Sequence, residues 1–301
     1  MPVGLGFPQK GREILPPLLF LPAGNPDGLL RSNPCPRSNP EKEIIMDILH
    51  SPVHHDLPRV RHVAWSRPFH WLAGGLRDLS RRPALSLSLG ALFAIGGLCI
   101  FALAQGRPEL LLAAVSGFLL VGPLLAVGFY EISRRIAGGD RLDAAAVAHS
   151  LAARWRPLAL YGLFLAAIYF IWAQLTTALV AYLLGSEWIW GFEELAREIF
   201  LSGRHPNLAA IWTLSGATLA AVTFLLSVVT APLLLDREVE VHHAMATSIN
   251  VVATNLPAML LWSFLIVSLT LFGFVTLMAG LVLIMPLLGH ATWHAYADLV
   301  E

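Results

Sequence analysis

The sequence predicts an all-α, polytopic membrane protein with six transmembrane helices, arranged as three hairpins that are each preceded by a cytoplasmic amphipathic helix. Three observations carry that expectation. Of 301 residues, 56% are hydrophobic and only 13% charged, against about 25% charged in ordinary soluble domains. Five stretches run long enough without charge to cross a bilayer, which takes about 20 apolar residues at a rise of 1.5 Å per residue. Finally, Pro83, Pro157 and Pro257 each open an odd-numbered span after an amphipathic stretch.

In chain order, Met1 to Pro40 holds nine of the 20 prolines, and proline at that density removes backbone donors and blocks helix propagation. Residues 1–60 are therefore expected to be a disordered tail, with a transmembrane domain over 61–301. The first span is Pro83 to Ala104 and the second Leu110 to Tyr130, joined by the polar turn Gln105-Gly106-Arg107-Pro108. The third is Pro157 to Leu184 and the fourth Leu208 to Leu235. From Pro257 to Ala297, one straight helix would reach about 60 Å, twice the hydrocarbon thickness. A turn between Gly273 and Gly280 divides it into two, with five spans plus an amphipathic C-terminal helix as the alternative.

Positively charged loops stay on the cytoplasmic side. The segment before Pro83 holds 11 Lys or Arg, the loop Glu131 to Arg156 holds five, and the opposite side holds only Arg107, Arg197 and Arg204. Both termini are accordingly expected in the cytoplasm. The loop Gly185 to Asn207 is acidic and spaces Trp188, Phe192, Leu195 and Ile199 along one helix face, which suits a helix lying at the outer interface; a substrate lid is the sharper reading.

The three amphipathic stretches offer apolar faces at Phe69, Leu72, Leu76 and Leu79, at Leu142, Ala146 and Ala153, and at Val239, Ala246, Ile249, Ala253 and Leu256. Each even-numbered span carries Pro-Leu-Leu near its cytoplasmic end, at Pro123, Pro232 and Pro286. A proline inside a helix frees the carbonyl four residues earlier and bends the axis. These prolines are packing kinks or, in a functional reading, hinges along a pathway.

Other classes are disfavoured. Lys plus Arg and Asp plus Glu each total 20, so the basic balance of a nucleic-acid binder is missing. Cys35 and Cys99 form neither a disulfide framework nor a zinc motif. No GxSxG elbow, HExxH helix, P-loop or dinucleotide fingerprint occurs, and the chain is expected not to be an enzyme.

The stretches Arg67-Pro68-Phe69-His70-Trp71-Leu72-Ala73-Gly74-Gly75-Leu76-Arg77-Asp78-Leu79, Gly122 to Arg135 and Pro286-Leu287-Leu288-Gly289-His290-Ala291-Thr292-Trp293-His294-Ala295-Tyr296 resemble a family of bacterial integral membrane proteins, domain of unknown function 2189. The likeness covers about residues 60 to 299. It implies a multi-pass protein of the bacterial inner membrane without an established activity.

Two clusters are candidates for chemistry. His290 and His294, four residues apart, project from one helix face and could share a metal or meet a haem, with His149, His242 and His243 as further ligands if the hairpins converge. The other reading is amphipathic anchoring where a helix leaves the bilayer. Glu131 precedes Arg134 and Arg135 at ion-pairing spacing and stands eight residues beyond Pro123, as His294 stands beyond Pro286. A Glu131–His294 pair or a topological anchor are both open.

The span interiors lack Asp, Glu, Lys and Arg near their midpoints, where driven transporters keep such groups for coupling. The leading expectation is thus a non-catalytic membrane component acting in assembly or envelope organisation. It assigns no cofactor, and its partners are the lipid bilayer, further copies of itself or other membrane proteins. The alternatives are a small-solute or ion permease built on Pro123, Pro232 and Pro286, and a metal- or haem-binding protein built on His290 and His294.

Overall fold

The computed structural model describes residues 57–103, 122, 124–140, 142–184, 197, 202–204 and 206–301. The described elements are helices: α1 (Arg67–Arg81), α2 (Pro83–Leu103), α3 (Val127–Gly138), α4 (Ala144–Ala153), α5 (Trp155–Leu184), α6 (Pro206–Ser227), α7 (Thr230–Asp236), α8 (Val241–Thr254), α9 (Leu256–Val275) and α10 (Leu281–Leu299). Residues 1–56 of the expected tail, Pro123 and, apart from Arg197, the expected helix from Trp188 to Ile199 lie outside the described residues, while residues 57–60 of that tail are described.

Local chemistry sets the helix ends. Pro83 and Pro257 stand in first turns, where the missing N–H is no loss. The Asp143 carboxylate accepts from Ala146 N–H at 2.7 Å and caps α4. Gly139 ends α3 in the left-handed region at φ 71°. The turn between α9 and α10 falls at residues 276–280, within the Gly273 to Gly280 window.

The six-span, three-hairpin architecture is not what forms. Among the described residues, four helical segments are long and apolar enough to cross a membrane: Pro83–Leu103, Trp155–Leu179, Ala209–Asp236 and Leu256–Val275. The expected second span lies mostly outside the described residues, and its end enters α3, which carries Glu131, Arg134 and Arg135. The expected sixth span is α10. Its first half is apolar, but its second half holds His290, His294 and Asp298, which hydrocarbon does not tolerate without partners. Those partners come from inside the protein: α10 is the central helix, packed chiefly on α1, α2 and α3, and its contact with α9 is smaller.

The amphipathic helices differ from expectation as well. In α1 the predicted apolar face divides, with Phe69 52% and Leu76 57% exposed but Leu79 buried and Leu72 packed against the core, while Trp71, Gly74, Gly75 and Asp78 are buried beside them. The Gly74–Gly75 pair draws α10 onto this buried side. A Cβ at Gly75 would stand 2.6 Å from the Leu287 carbonyl oxygen. In α8 Ile249 is exposed, as is Leu256 at the start of α9, and Val241, Ala244, Thr247, Ser248 and Val251 turn inward.

Two prolines shape the bundle. Pro232 has no N–H to donate to Val228, and the candidate span Ala209–Asp236 is interrupted at Val228–Val229 between α6 and α7. Pro286 lies inside α10 and likewise frees the carbonyl of Val282, which sits against Gly90 of α2. Only a residue without a Cβ permits that approach.

At the other end of α10, Asp298 accepts from Arg67 Nε and Nη2 at 2.8 and 2.7 Å and from Trp71 Nε1 at 2.9 Å. The Trp71 ring meets Trp262 edge-on at 5.7 Å. Replacing Trp71 with Phe removes a hydrogen bond to a charged acceptor and is expected to cost about 2 kcal/mol, read as a shift in denaturant unfolding in detergent. The segment before α1 is tied to the end of α10 by Arg61 N–H to Leu299 O and Glu301 N–H to Arg59 O, both 2.9 Å, with a bridge between Val60 and Val300.

Candidate functional site

The most chemically loaded place in the protein is a buried polar chain where α1, α2, α3 and α10 meet. α1 contributes Asp78, one turn beyond its glycine pair; α2 contributes Ser86 from its first turn; α3 contributes Ser133; α10 contributes His290 and His294. Asp78 is 3% exposed, and Ser86 and His290 are fully buried.

The hydrogen bonds have one consistent direction. An ionised carboxylate only accepts, so the Ser133 hydroxyl donates to Asp78 Oδ2 at 2.8 Å. Its single proton is then used, and Ser133 Oγ accepts from His290 Nδ1–H at 2.8 Å. His290 Nε2 is left as an acceptor for the Ser86 hydroxyl at 2.9 Å. From the other side, His294 Nε2–H donates to the same Asp78 oxygen at 2.8 Å, and its side chain is 32% exposed. The chain thus runs from a half-exposed imidazole through a carboxylate, a hydroxyl and a buried imidazole to a hydroxyl at the head of α2.

Burial pushes the Asp78 carboxyl up, but the hydrogen bonds from His294 and Ser133 and the nearby imidazoles outweigh it, and the group lies below the usual carboxylate range. His290 goes the other way for a base. Burial pulls it down to about 4, against an opposing pull from Asp78. An unfolded imidazole titrates near 6.5. Between those values the unfolded chain binds a proton that the folded chain refuses, so the contribution of neutral His290 is complete above about pH 6.5 and declines as pH falls toward 4. The expected slope is at most about 1.4 kcal/mol per pH unit. Denaturant unfolding of the wild type and of His290→Gln between pH 4.5 and 7.5 checks this, and the variant profile is expected to be flatter.

Glu131 forms a second, separate cluster. It is fully buried and accepts from Arg134 Nε and Nη2 at 2.8 and 3.0 Å and from Arg135 Nε at 2.6 Å. Arg135 goes on to Ala146 O and Ser150 Oγ, which fastens α3 to α4. Burial pushes the carboxyl up, but hydrogen bonds from Arg134, Ser150 and Arg135 hold it below its ordinary range.

Of the residues singled out from sequence, His290 and His294 do share one face, yet each has its own partners: two serines for the first and a carboxylate for the second. Glu131 engages two arginines, and His294 engages Asp78. His242 and His243 stand together at the start of α8. Pro232 and Pro286 act on backbone geometry as described, and Pro123 lies outside the described residues. The sequence reading missed Asp78, Ser86 and Ser133 as functional candidates. The available signal was the acidic residue three and four positions beyond the Gly74–Gly75 pair, a spacing that puts it on the close-packed face.

Residues 110–236 match a family model described as "Predicted integral membrane protein (DUF2189)". Of the three stretches that suggested this likeness, the one from Gly122 to Arg135 falls inside the matched region, and those in α1 and α10 fall outside it. No curated protein and no solved structure matches the chain. Over that part, which carries α3 to α7, the chain is similar to the DUF2189 family of predicted integral membrane proteins.

Proposed function

We propose that this multi-pass membrane protein is a non-catalytic component of the bacterial inner membrane, acting in assembly or envelope organisation through the outer faces of its spans. One observation carries the reading. Large apolar side chains on α2, α5 and α9, among them Ile95, Phe101, Leu163, Phe170, Phe264 and Leu271, are exposed on the described helices. Asp78, Ser86, Ser133, His290 and His294, in contrast, are turned toward one another in hydrogen bonds. Exposed span faces take acyl chains or the spans of a neighbour.

Photocrosslinking in the native membrane tests this. Crosslinkers at Phe170 and Phe264 are expected to capture discrete protein adducts, either a second copy or another membrane protein. Capture of lipid alone at both positions speaks against the reading.

A permease is the second reading, favoured by the interruption of the candidate span Ala209–Asp236 at Val228–Val229, since broken helices present free backbone carbonyls to a pathway. Solute uptake into vesicles that is lost in Pro232→Ala would support it. A haem or metal on His290 and His294 would require His290 to give up a serine partner. A purified sample with neither a Soret band nor metal bound through these two residues counts against it.

A further inference from the structure

We propose that Glu240, His242 and His243 form a binding site for one first-row divalent cation, with zinc as the ion of first choice, at the entry to α8. The three side chains offer one carboxylate oxygen and two imidazole nitrogens whose ligating atoms all lie within 4.8 Å of one another. His242 Nδ1 is 3.2 Å from Glu240 Oε2, and the two imidazole centroids are 4.0 Å apart.

The local fold explains why these groups gather. Glu240 occupies the capping position of α8 with extended backbone, φ −74° and ψ 149°, and its carboxylate makes no capping hydrogen bond. It turns instead to His242. Val241 and Ala244 on either side are buried in the core, and the Ala244 N–H donates to the Glu240 carbonyl at 3.0 Å. The backbone that carries the three donors is therefore held, and only the side chains need to move.

That movement is small. Ligand bonds of about 2.0–2.1 Å place neighbouring donors of a tetrahedral ion about 3.4 Å apart. Rotation of the His242 and Glu240 side chains, 64% and 63% exposed, can close the remaining gap without repacking. Two imidazoles and one carboxylate make a donor set suited to zinc, nickel or copper rather than to magnesium or calcium, which prefer all-oxygen shells. Three protein ligands leave at least one position to water or to an incoming donor, the arrangement of an open site. This site is independent of the Asp78–His290 chain and of the function proposed above.

The test is calorimetric titration of zinc chloride into the full-length, untagged protein in detergent micelles, with magnesium chloride as the comparison. The expected result is one zinc per chain and no heat of binding with magnesium. Even outer-shell partners of metal ligands are worth about 10–100-fold in affinity. His242→Ala and His243→Ala are thus each expected to weaken zinc by at least about tenfold, Glu240→Gln to weaken it measurably, and His149→Ala on α4 to leave it unchanged. Glu240 and His242 are exposed and His243 is half-buried, and unchanged circular dichroism of each variant verifies its fold. Zinc binding that survives the His242→Ala/His243→Ala double variant overturns the proposal, as does the absence of zinc binding by the wild type.

Discussion

Replacing Asp78 with alanine is expected to cost about 4 kcal/mol, in the range for removing one partner of a buried charged contact. Asp78 is the common acceptor for Ser133 and His294, with Arg81 at 3.8 Å. Without it the Ser133 proton has no carboxylate to meet, His294 loses its acceptor, and the tautomer of His290 is no longer fixed. The loss spreads over four helices, because α1, α3 and α10 are joined at this carboxylate and α2 is joined to them through His290. Reversible unfolding in mixed micelles reads the cost. A double-mutant cycle with Ser133→Ala is expected to be strongly non-additive, since the two residues act within one network. Simple additivity would show that the chain does not work as a unit.

Gly75→Leu is expected to destabilise the protein on the order of 4 kcal/mol, near the upper end for a single substitution. A Cβ there would stand 2.6 Å from Leu287 O and 2.8 Å from Ala291 N. Both are backbone atoms of a helix that is itself wedged among α1, α2 and α3, so neither can yield by a rotamer change. Separation of α1 from α10 also breaks the Arg67–Asp298 pair and the Trp71 hydrogen bond at the other end of the same contact. Leu76→Ala, one residue on but 57% exposed, is expected to change stability by less than about 0.5 kcal/mol in the same unfolding assay. Equal effects at the two positions would contradict the assignment of faces in α1.

The positions of several helices could be read from the sequence. Apolar length alone locates α2, α5 and α9, and the need to fold back after Pro257 locates the turn before α10. What sequence could not reveal is the environment of α10. Its polar second half, taken with its apolar first half, reads as a span with an anchoring end, because the residues that neutralise it are remote: Ser86 is 204 positions away and Asp78 is 216 from His294. Periodicity reports which residues share a face, and it does not report whether that face meets lipid or protein. In α1 that ambiguity misled, since Phe69 and Leu76 look like a core stripe while the true contact is made by glycine, tryptophan and aspartate. The Pro-Leu-Leu pattern was visible, but its consequences are two different ones, a break in α6–α7 and a tight seat against Gly90 in α10. For the functional cluster, the histidines were legible by their spacing, and the serines were not, since serine is common in spans and declares itself only by what it touches.

The pairing of α1 with α10 has a consequence for biosynthesis. The ribosome releases α1 more than two hundred codons before it completes the strand of sequence that will cover Gly74, Gly75 and Asp78. During that interval the nascent chain must carry an unmated glycine-lined groove and an unneutralised acid beside the translocon. Maturation is thereby tied to the arrival of α10, and a chain halted before it would present the quality-control proteases with the very surface that α10 conceals.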